Sequence, residues 1–369
     1  MENDKCLRIL VVDDTVVYRK IVSDIISELP GVEVAGVAHN GKIAMAKIVS
    51  LKPDLLTLDI EMPEVNGLEV LANIKAEGLD VGAIMLSTLT RKGGEMTIKA
   101  MELGAFDFIA KPQDGGMEEN RKIIKKTIAP MLKAFADSRI TKGLLSGVML
   151  KQKKTSGSGA IVQRMSKIAG RKKRKSEIVA IGISTGGPNA LAEMMPKIPS
   201  NIGVPIVVVQ HMPPMFTKSL ANSLNSKCSL EVKEAINGEP VKPNTVFIAP
   251  GGKQMKVVAG ADGKLRVIKI TDDPPENSCK PSADYLFRSI AHHYVGRATG
   301  VIMTGMGSDG TIGLKLMRRN GAAIIAQDEA TCVVYGMPKE PVELGIVDII
   351  APVGKIAEEI SRTVNPVVA

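Results

Sequence analysis

Residues Ile178 to Ala190 read IVAIGISTGGPNA, and this stretch decides the fold of the C-terminal half of the chain. The apolar run at 178–181 is typical of a buried strand, and it stops in a cluster of glycines followed by a proline. Gly182, Ser184 and Gly186 fit the G-x-S-x-G pattern, which presents a nucleophilic serine at the rim of a sheet. A phosphate-binding loop and an inert turn fit the same residues, so the rest of the chain has to distinguish them.

Composition and charge limit the class of protein. The chain has 369 residues, which suits two domains, and 44% of them are hydrophobic. Aromatic residues make up 3%, which disfavours a surface that stacks on nucleic-acid bases. The net charge of +9 arises in the segment 113–176, which holds 17 Lys or Arg against 4 Asp or Glu. The remainder is mildly acidic, so we expect no nucleic-acid partner.

Cysteine usage and apolar segments bear on location. The four cysteines are dispersed and form no C-x-x-C pair, which favours free thiols over a disulfide framework or a zinc site. No stretch approaches about 18 uninterrupted apolar residues. The N-terminus, MENDKCLRIL, lacks the basic and apolar regions of a secretion signal. We therefore expect a cytoplasmic protein without membrane insertion.

In the first 112 residues, polar side chains follow successive predicted strands. Strands alternate with helices, which predicts a parallel sheet whose carboxyl ends meet at one edge. The residues predicted at that edge are Asp13, Asp14, Asp59, Ser87 and Lys111. Carboxylates there can bind Mg²⁺, one of them can attack a phosphoryl group, and the lysine and the hydroxyl can bind the transferred oxygens. The alternative is that each acid only caps the helix that follows it.

This pattern resembles the receiver domain of two-component response regulators over about residues 1–125. The resemblance rests on the pair Asp13-Asp14, on the Asp59-x-x-Met-Pro segment, and on Lys111 followed by Pro. It implies a flavodoxin-like domain that is phosphorylated by a histidine kinase.

The same resemblance assigns roles to single residues. It implies that Asp59 is the phospho-acceptor and that Asp14, Asp59 and the backbone carbonyl of Glu61 hold Mg²⁺. Asp13 would lie next to these ligands without binding the ion directly. Three further side chains would form the switch that senses the phosphoryl group: Ser87, Phe108 and Lys111.

Residues 126–176 are predicted to be a flexible basic linker. Apolar spacing from Glu118 to Ala136 predicts the last receiver helix, which continues into the linker despite Pro130. The stretches KQKKTSGSG at 151–159 and RKKRK at 171–175 are typical of a solvated connector. An anion contact at RKKRK is the alternative, and no helix-turn-helix signature follows it.

Strands and helices alternate again in residues 177–369, and polar residues follow three of these strands. Ser184 follows the first, His211 follows PIVVV at 205–209, and Asp309 lies in a Gly-rich turn after a third. Taken singly, His211 suits a strand terminator and Asp309 a helix cap. Together they fit a serine whose proton is taken by a histidine that a carboxylate orients. A phosphate loop would place a lysine behind the glycines, whereas PNA follows at 188–190.

Three segments carry a second resemblance, to the catalytic domain of chemotaxis protein-glutamate methylesterases. They are IGISTGGPNAL at 181–191, VVVQHMPPMFTKSLA at 207–221 and IMTGMGSDGTIGL at 302–314. With the receiver, this resemblance extends over nearly the whole chain. It implies two doubly wound parallel-sheet α/β domains, the receiver at 1–125 and a Rossmann-like catalytic domain at 177–369. Ile183 departs from the family pattern, in which we expect a small residue.

The resemblance also implies an activity and its residues. The expected reactions are hydrolysis of glutamate γ-methyl esters on methyl-accepting chemotaxis receptors and deamidation of receptor glutamines. Ser184 would be the nucleophile, His211 the acid and base, and Asp309 its orienting partner. Thr185 and the backbone N–H of Met306 would form the oxyanion hole.

The resemblance also implies partners and cofactors, and one rival interpretation stays open. The implied partners are the receptors and a chemotaxis histidine kinase; we expect a monomer, with Mg²⁺ for phosphorylation and no cofactor for the esterase step. The rival is a phospho-regulated binding module whose Gly-rich loop at Ser184 is not catalytic.

Overall fold

A computed structural model describes residues 6–112, 115–151, 175–261, 263 and 265–365, with side chains up to residue 139 in the second range. The chain divides into two compact units, Met1–Ala136 and Asp137–Ala369. The stretches KQKKTSGSG and RKKRK lie outside the described residues apart from Lys151 and Lys175. The domain boundaries after residue 125 and before residue 177 stay a prediction.

The first unit contains a five-stranded parallel sheet. Its strands are β1 (Leu7–Val12), β2 (Val32–Ala38), β3 (Leu55–Asp59), β4 (Gly82–Thr88) and β5 (Asp107–Lys111). Its helices are α1 (Val16–Ser27), α2 (Gly41–Leu51), α3 (Gly67–Ala76), α4 (Arg91–Leu103) and α5 (Met117–Lys151). The strand order β2-β1-β3-β4-β5 is that of a flavodoxin-like sheet. Such sheets bind ligands where the order reverses, here at the carboxyl ends of β1 and β3.

Local sequence explains where two of these helices begin. Asn40 precedes α2, and its side chain accepts a hydrogen bond from the backbone N–H of Ile43 at 2.9 Å. Asn66 precedes α3 and forms a capping box with Glu69. Both asparagines satisfy backbone donors that the first turn of a helix leaves unpaired.

Helix α5 extends into the segment predicted to be linker. Ile128, Leu132 and Phe135 are buried, and the Phe135 ring packs edge-on against Phe106 with the ring centroids 5.1 Å apart. Residues 126–136 therefore belong to a packed helix. Pro130 lies inside this helix, as the sequence analysis allowed.

The second unit contains a seven-stranded parallel sheet and a separate antiparallel hairpin. The strands are β6 (Ile178–Ile183), β7 (Ile206–Gln210), β8 (Glu231–Glu234), β9 (Thr245–Ile248), β10 (Gln254–Ala259), β11 (Arg266–Thr271), β12 (Ala298–Ile302), β13 (Ala323–Gln327) and β14 (Ile349–Ala351). The helices are α6 (Gly187–Met194), α7 (Phe216–Asn225), α8 (Ala283–His293), α9 (Thr311–Arg319), α10 (Lys339–Glu343) and α11 (Val353–Val364).

The strand order of the large sheet indicates the edge at which a ligand site is expected. The order is β14-β13-β12-β6-β7-β9-β8, so the chain winds outward on both sides of β6. In parallel sheets of this kind the ligand site lies at the carboxyl end of the strand where the order reverses. Ser184 directly follows that strand.

The predicted fold class, two parallel-sheet α/β domains, is confirmed. Strand β14 and helix α11 complete the second unit and were not predicted from the sequence. The four cysteines are unpaired, as expected. No helix in the described ranges is long and apolar enough to cross a membrane.

Candidate active site

Ser184 is held in a tight turn at the end of β6. Its backbone N–H donates to the Thr304 carbonyl at 2.9 Å, and its carbonyl accepts from Gly187 at 2.7 Å. Gly186 has a φ of +74°, a conformation that favours glycine. Within the described ranges the Ser184 hydroxyl makes no hydrogen bond, so it is available to a ligand.

The turn is packed so closely that side chains are excluded at two glycines. A Cβ at Gly187 would lie 1.9 Å from Gln210 Oε1, and a Cβ at Gly305 would lie 2.7 Å from Ser184 Cβ. The Gln210 amide also donates to the Ser184 carbonyl at 2.9 Å. Ile183, the departure from the family pattern, is fully buried. The position of Ser184 is thus fixed from several sides.

His211 and Asp309 form a hydrogen-bonded pair. His211 follows β7, and its Nε2 lies 2.8 Å from Asp309 Oδ2. Asp309 lies in the Gly-rich turn that follows β12, between the end of that strand at Ile302 and the start of α9 at Thr311. The Gly-rich turn between them carries the carboxylate to the histidine. Because a carboxylate accepts, Nε2 carries the proton in the neutral imidazole and Nδ1 is the basic nitrogen.

Four further donors hold the Asp309 carboxylate at the start of α8. They are the backbone N–H groups of Ala283 at 2.7 Å and Asp284 at 3.2 Å, the Ser282 hydroxyl at 2.8 Å and the Asn277 amide at 3.1 Å. The N-terminal end of a helix favours a negative charge. Asp309 is therefore both oriented and kept ionised.

These contacts shift both ionisation equilibria. Burial opposes the charged form of His211 and is the largest single effect, but the contacts with Asp309 and Cys279 together outweigh it and raise the His211 pKa to about 9. Burial likewise opposes ionisation of Asp309, whereas the hydrogen bond to His211 and those from α8 lower its pKa to about 2. At neutral pH the two groups form an ion pair, and the basic form of His211 gains population as the pH rises.

The structure adds Cys279, which the sequence analysis did not associate with this site. Its Sγ lies 3.6 Å from His211 Nδ1 and donates to the Asn277 carbonyl at 3.4 Å. Cys279, Asn277 and Ser282 belong to a polar loop without hydrophobic periodicity. Of these three residues, only Ser282 could have been recognised from the sequence. It precedes an apolar helical pattern, and a serine in that position is typical of a helix N-cap.

Two backbone donors lie near Ser184. Within the described part of the chain, neither the N–H of Thr185 nor that of Met306 donates to another protein group. Thr185 follows Ser184 directly and is 3% exposed, while Met306 follows Gly305, which contacts Ser184. These are the two groups predicted for an oxyanion hole, and both are available to an anionic oxygen.

In the first unit, the acidic residues converge at the carboxyl ends of β1 and β3. Asp13, Asp14 and Asp59 each place an oxygen within 4.8 Å of the others. Lys111 Nζ lies 2.9 Å from Asp13 Oδ2 and 2.7 Å from Asp59 Oδ2. Asp13 is fully buried and Asp59 nearly so, whereas Asp14 is exposed. Three carboxylates whose oxygens lie this close together fit Mg²⁺, which prefers hard oxygen ligands.

The electrostatics of this cluster are set by burial. Burial raises the pKa of Asp59 to about 6; Lys111 opposes this shift and Asp13 reinforces it. Burial disfavours the charged form of Lys111, but Asp59 and Asp13 raise its pKa above the usual value. Lys111 also lies over the Tyr18 ring, 4.8 Å from its centroid, a contact that the sequence analysis missed.

The predicted switch residues do not all face this cluster. The Ser87 hydroxyl contacts α4, donating to the Gly93 carbonyl at 3.2 Å and accepting from Thr97 at 2.7 Å. Phe108 is buried, and the side chain of Glu61 pairs with Lys92 at 2.9 Å. The structure thus brings together the acids and Lys111, and places Ser87 on the side of α4.

Two family models and several known proteins match this chain. The sequence model of CheB methylesterase matches residues 179–360, and that of the response regulator receiver domain matches residues 9–122. A protein-glutamate methylesterase/protein-glutamine glutaminase of Desulfotalea psychrophila is 56% identical over 367 residues, covering 98% of this chain and 99% of that protein. The chain belongs to the CheB methylesterase family.

Other similar proteins extend this finding. The Bacillus subtilis protein of the same name is 44% identical over 363 residues, covering 97% of this CheB-family chain and 99% of that protein. The crystal structure of the Thermotoga maritima CheB methylesterase catalytic domain is 43% identical, with a TM-score of 0.49, and covers 51% of this chain and 99% of that chain. In this CheB-family chain, the site at β6 lies within the matched methylesterase region, and the acidic cluster lies within the matched receiver.

Proposed function

We propose that this chain hydrolyses glutamate methyl esters and deamidates glutamines on methyl-accepting chemotaxis receptors, under control of phosphorylation at Asp59. The names of its relatives and its two family domains support this activity. The observation that carries it is the hydrogen bond of 2.8 Å between His211 Nε2 and Asp309 Oδ2, at the sheet edge where Ser184 lies. This arrangement can activate a hydroxyl, which a simple binding loop does not need.

The proposed mechanism assigns the proton to a single nitrogen. His211 Nδ1 takes the proton of the Ser184 hydroxyl as its oxygen attacks the γ-carbonyl carbon of the substrate. Asp309 keeps the proton on Nε2 and stabilises the imidazolium that forms. The N–H groups of Thr185 and Met306 donate to the oxyanion.

Collapse of the tetrahedral intermediate completes the first half of the reaction. His211 returns the proton to the leaving group, which departs as methanol from an ester or as ammonia from an amide. His211 then deprotonates water, which attacks the acyl-enzyme and releases glutamate. Glutamate is the product in both cases, so one site can serve both reactions.

The receiver is the proposed control element. Asp59 accepts the phosphoryl group from a histidine kinase. Asp14, Asp59 and the Glu61 carbonyl would hold Mg²⁺, and Asp13 would lie beside these ligands without binding the ion directly. The ion would neutralise charge on the phosphoryl oxygens. Lys111, already paired with Asp59, would contact the same oxygens, and Ser87 and Phe108 would respond to the modification.

Methanol release from a methylated receptor cytoplasmic fragment tests the proposal. The full-length chain is compared with Ser184→Ala and with the control Ser200→Ala, which alters an exposed serine. Each is assayed with and without acetyl phosphate and Mg²⁺. We expect release by the wild type and the control, a rise with the phosphodonor, and no release by Ser184→Ala.

The same assay separates the two interpretations. Asp59→Asn is expected to lose the response to acetyl phosphate. If the wild type releases no methanol under either condition, the phospho-regulated binding module becomes the better interpretation.

A further inference from the structure

The basic nitrogen of His211 faces a thiol. Cys279 Sγ lies 3.6 Å from Nδ1, while Nε2, on the other side of the ring, is bonded to Asp309. The potential ligand atoms of all three residues lie within 4.8 Å of one another. His211 and Cys279 are partly exposed, so an ion from solvent can reach them.

We propose that His211 Nδ1 and Cys279 Sγ form a binding site for Zn²⁺, and that its occupancy blocks esterase activity. The binding site stands on its own geometry, whereas the blocking rests on the proposed function.

The separation of the two atoms suits this ion. Zinc binds cysteine sulfur at about 2.3 Å and histidine nitrogen at about 2.0–2.1 Å, in tetrahedral geometry. With a tetrahedral angle, these lengths place sulfur and nitrogen about 3.5–3.6 Å apart. The observed separation of 3.6 Å matches the one that zinc requires.

The hydrogen bond between His211 and Asp309 also favours zinc binding at His211 Nδ1. Histidines that bind zinc usually donate their other ring N–H to a carboxylate, which fixes the tautomer and makes the metal-binding nitrogen more basic. Asp309 makes that contact at 2.8 Å. Its oxygens also accept hydrogen bonds from Ser282, Ala283 and other donors, so Asp309 acts as a support and not as a third ligand.

Ligand chemistry separates this site from the acidic cluster of the receiver. Thiolate and imidazole are ligands for zinc, whereas Mg²⁺ prefers oxygen. On binding, the Cys279 thiol and the Nδ1–H of the His211 imidazolium each lose a proton to solvent. The Nδ1 lone pair and the thiolate then bind the ion, and water takes the two remaining positions. Because that lone pair is the one that accepts the Ser184 proton, a bound zinc ion and catalysis exclude each other.

Binding is measured first, without substrate. Full-length protein free of affinity tags is kept in excess Mg²⁺, so that the receiver carboxylates are occupied, and Zn²⁺ is titrated in competition with a chromophoric chelator. The variants are Cys279→Ser and, as a matched thiol control, Cys228→Ser. Co²⁺ is used in parallel, because a cobalt–thiolate bond gives a charge-transfer absorption.

We expect Cys279→Ser to weaken zinc binding by about tenfold or more, since loss of even an outer partner of a metal ligand costs about 10–100-fold. The cobalt–thiolate absorption should be present in the wild type and in Cys228→Ser, and absent from Cys279→Ser. Equal zinc affinity of the wild type and Cys279→Ser, or no thiolate absorption in the wild type, would overturn the site.

Methanol release tests the blocking, with each variant compared with its own zinc-free rate. Zinc should inhibit the wild type and Cys228→Ser, a chelator should restore both, and Cys279→Ser should keep its rate at the same zinc concentration. Binding through Cys279 without loss of rate would overturn the blocking. If zinc-free wild type releases no methanol, the proposed function fails, while the binding titration still decides the zinc site.

Discussion

Asp309 accepts a hydrogen bond from the backbone N–H of Ala283 at 2.7 Å through Oδ2, the same oxygen that faces His211. The carboxylate that orients the histidine is therefore fixed to the first turn of α8. A charge-assisted hydrogen bond of this kind is stronger than a neutral one and resists rotation of the carboxylate. The geometry of His211 thus depends on a helix that begins 26 residues before Asp309.

The Ser282 hydroxyl contributes both to this anchor and to α8. It donates to Asp309 Oδ1 at 2.8 Å and accepts from the Tyr285 N–H at 3.4 Å. Ser282→Ala is expected to lower the free energy of unfolding of the second unit by about 1.5–3 kcal/mol, the usual contribution of a hydrogen bond to a charged group. Urea unfolding followed by tyrosine fluorescence measures this, since three of the four tyrosines lie in residues 177–369.

Ser226→Ala is the control for that measurement. Ser226 is exposed at the end of α7, and its loss should change the free energy of unfolding by about 0.5 kcal/mol or less. Equal stability of Ser282→Ala and Ser226→Ala would show that the Ser282 contact contributes nothing to the anchor.

The raised pKa of His211, about 9, predicts the pH dependence of catalysis. Only the unprotonated imidazole can accept the Ser184 proton, and its fraction increases as the pH rises through 9. In zinc-free protein, kcat/KM for methanol release should therefore climb with pH and level off above about 9, since this parameter reports the free enzyme. If kcat/KM instead rose around pH 6.5, the ordinary pKa of histidine, the prediction would be contradicted.

Asp309→Asn tests the cause of that shift. Without the carboxylate, the pKa of His211 should fall towards its ordinary value, so the limb of the profile moves to lower pH. The rate should fall by up to about 10⁴-fold, because an amide no longer holds the required tautomer. An unchanged limb would assign the shift to another group.

Some of this site could be predicted from sequence because strand ends are local signals. An apolar run that stops at a polar residue placed Ser184 and His211 at one sheet edge, since parallel strands share their direction. Asp309 was expected in a Gly-rich turn after a third strand, and it lies in the turn that follows β12. Its pairing with His211 depends on the path of that turn, which spacing alone does not determine.

The anchors of Asp309 could not be predicted because they depend on tertiary packing. Asn277 is 32 residues from Asp309 and lies in a loop without periodicity. Cys279 has no pattern that relates it to His211, 68 residues earlier. The N-cap position of Ser282 was a readable signal, yet it specifies only the start of α8 and not what that helix end would bind. Ser87 shows the same limit in the receiver, where its hydroxyl is bonded to α4.

The acidic cluster predicts a gain in stability when Asp59 is neutralised. Burial raises the Asp59 pKa from 3.8 to about 6, so its ionised form costs folding free energy above that pH, and the cost disappears below 3.8. Without Mg²⁺, Asp59→Asn should stabilise the first unit at pH 7 by on the order of 2–3 kcal/mol and have little effect at pH 3.5. Hydrogen exchange of amides in β1 and β3 measures this in the full-length chain.

Mg²⁺ provides the control for that prediction. The ion should stabilise the wild type more than Asp59→Asn, because the variant has lost one carboxylate ligand, so the advantage of the variant should shrink. An advantage that is the same at pH 3.5 and pH 7 would show that it does not arise from the charge of Asp59.

Gly305 is the position at which a single added carbon should displace the nucleophile. A Cβ there would lie 2.4 Å from Met337 Sδ and 2.7 Å from Ser184 Cβ, both far inside van der Waals contact. Met337 is fully buried and has little room to retreat, so the strain falls on the Ser184 turn. Gly305→Ala should lower kcat for methanol release by about 10²-fold or more, since a displacement of about 1 Å costs that much.

Gly354→Ala is the matched substitution in the same unit. Its Cβ would meet only the ends of two flexible side chains, Glu193 Oε1 at 3.2 Å and Lys197 Nζ at 3.4 Å, and it lies in α11, where alanine is favoured. We expect it to keep the wild-type kcat. The two variants should differ in kcat while both retain the far-ultraviolet circular dichroism of the wild type. If Gly305→Ala keeps its activity, the Ser184 turn tolerates displacement, and close packing around the serine is not what positions the nucleophile.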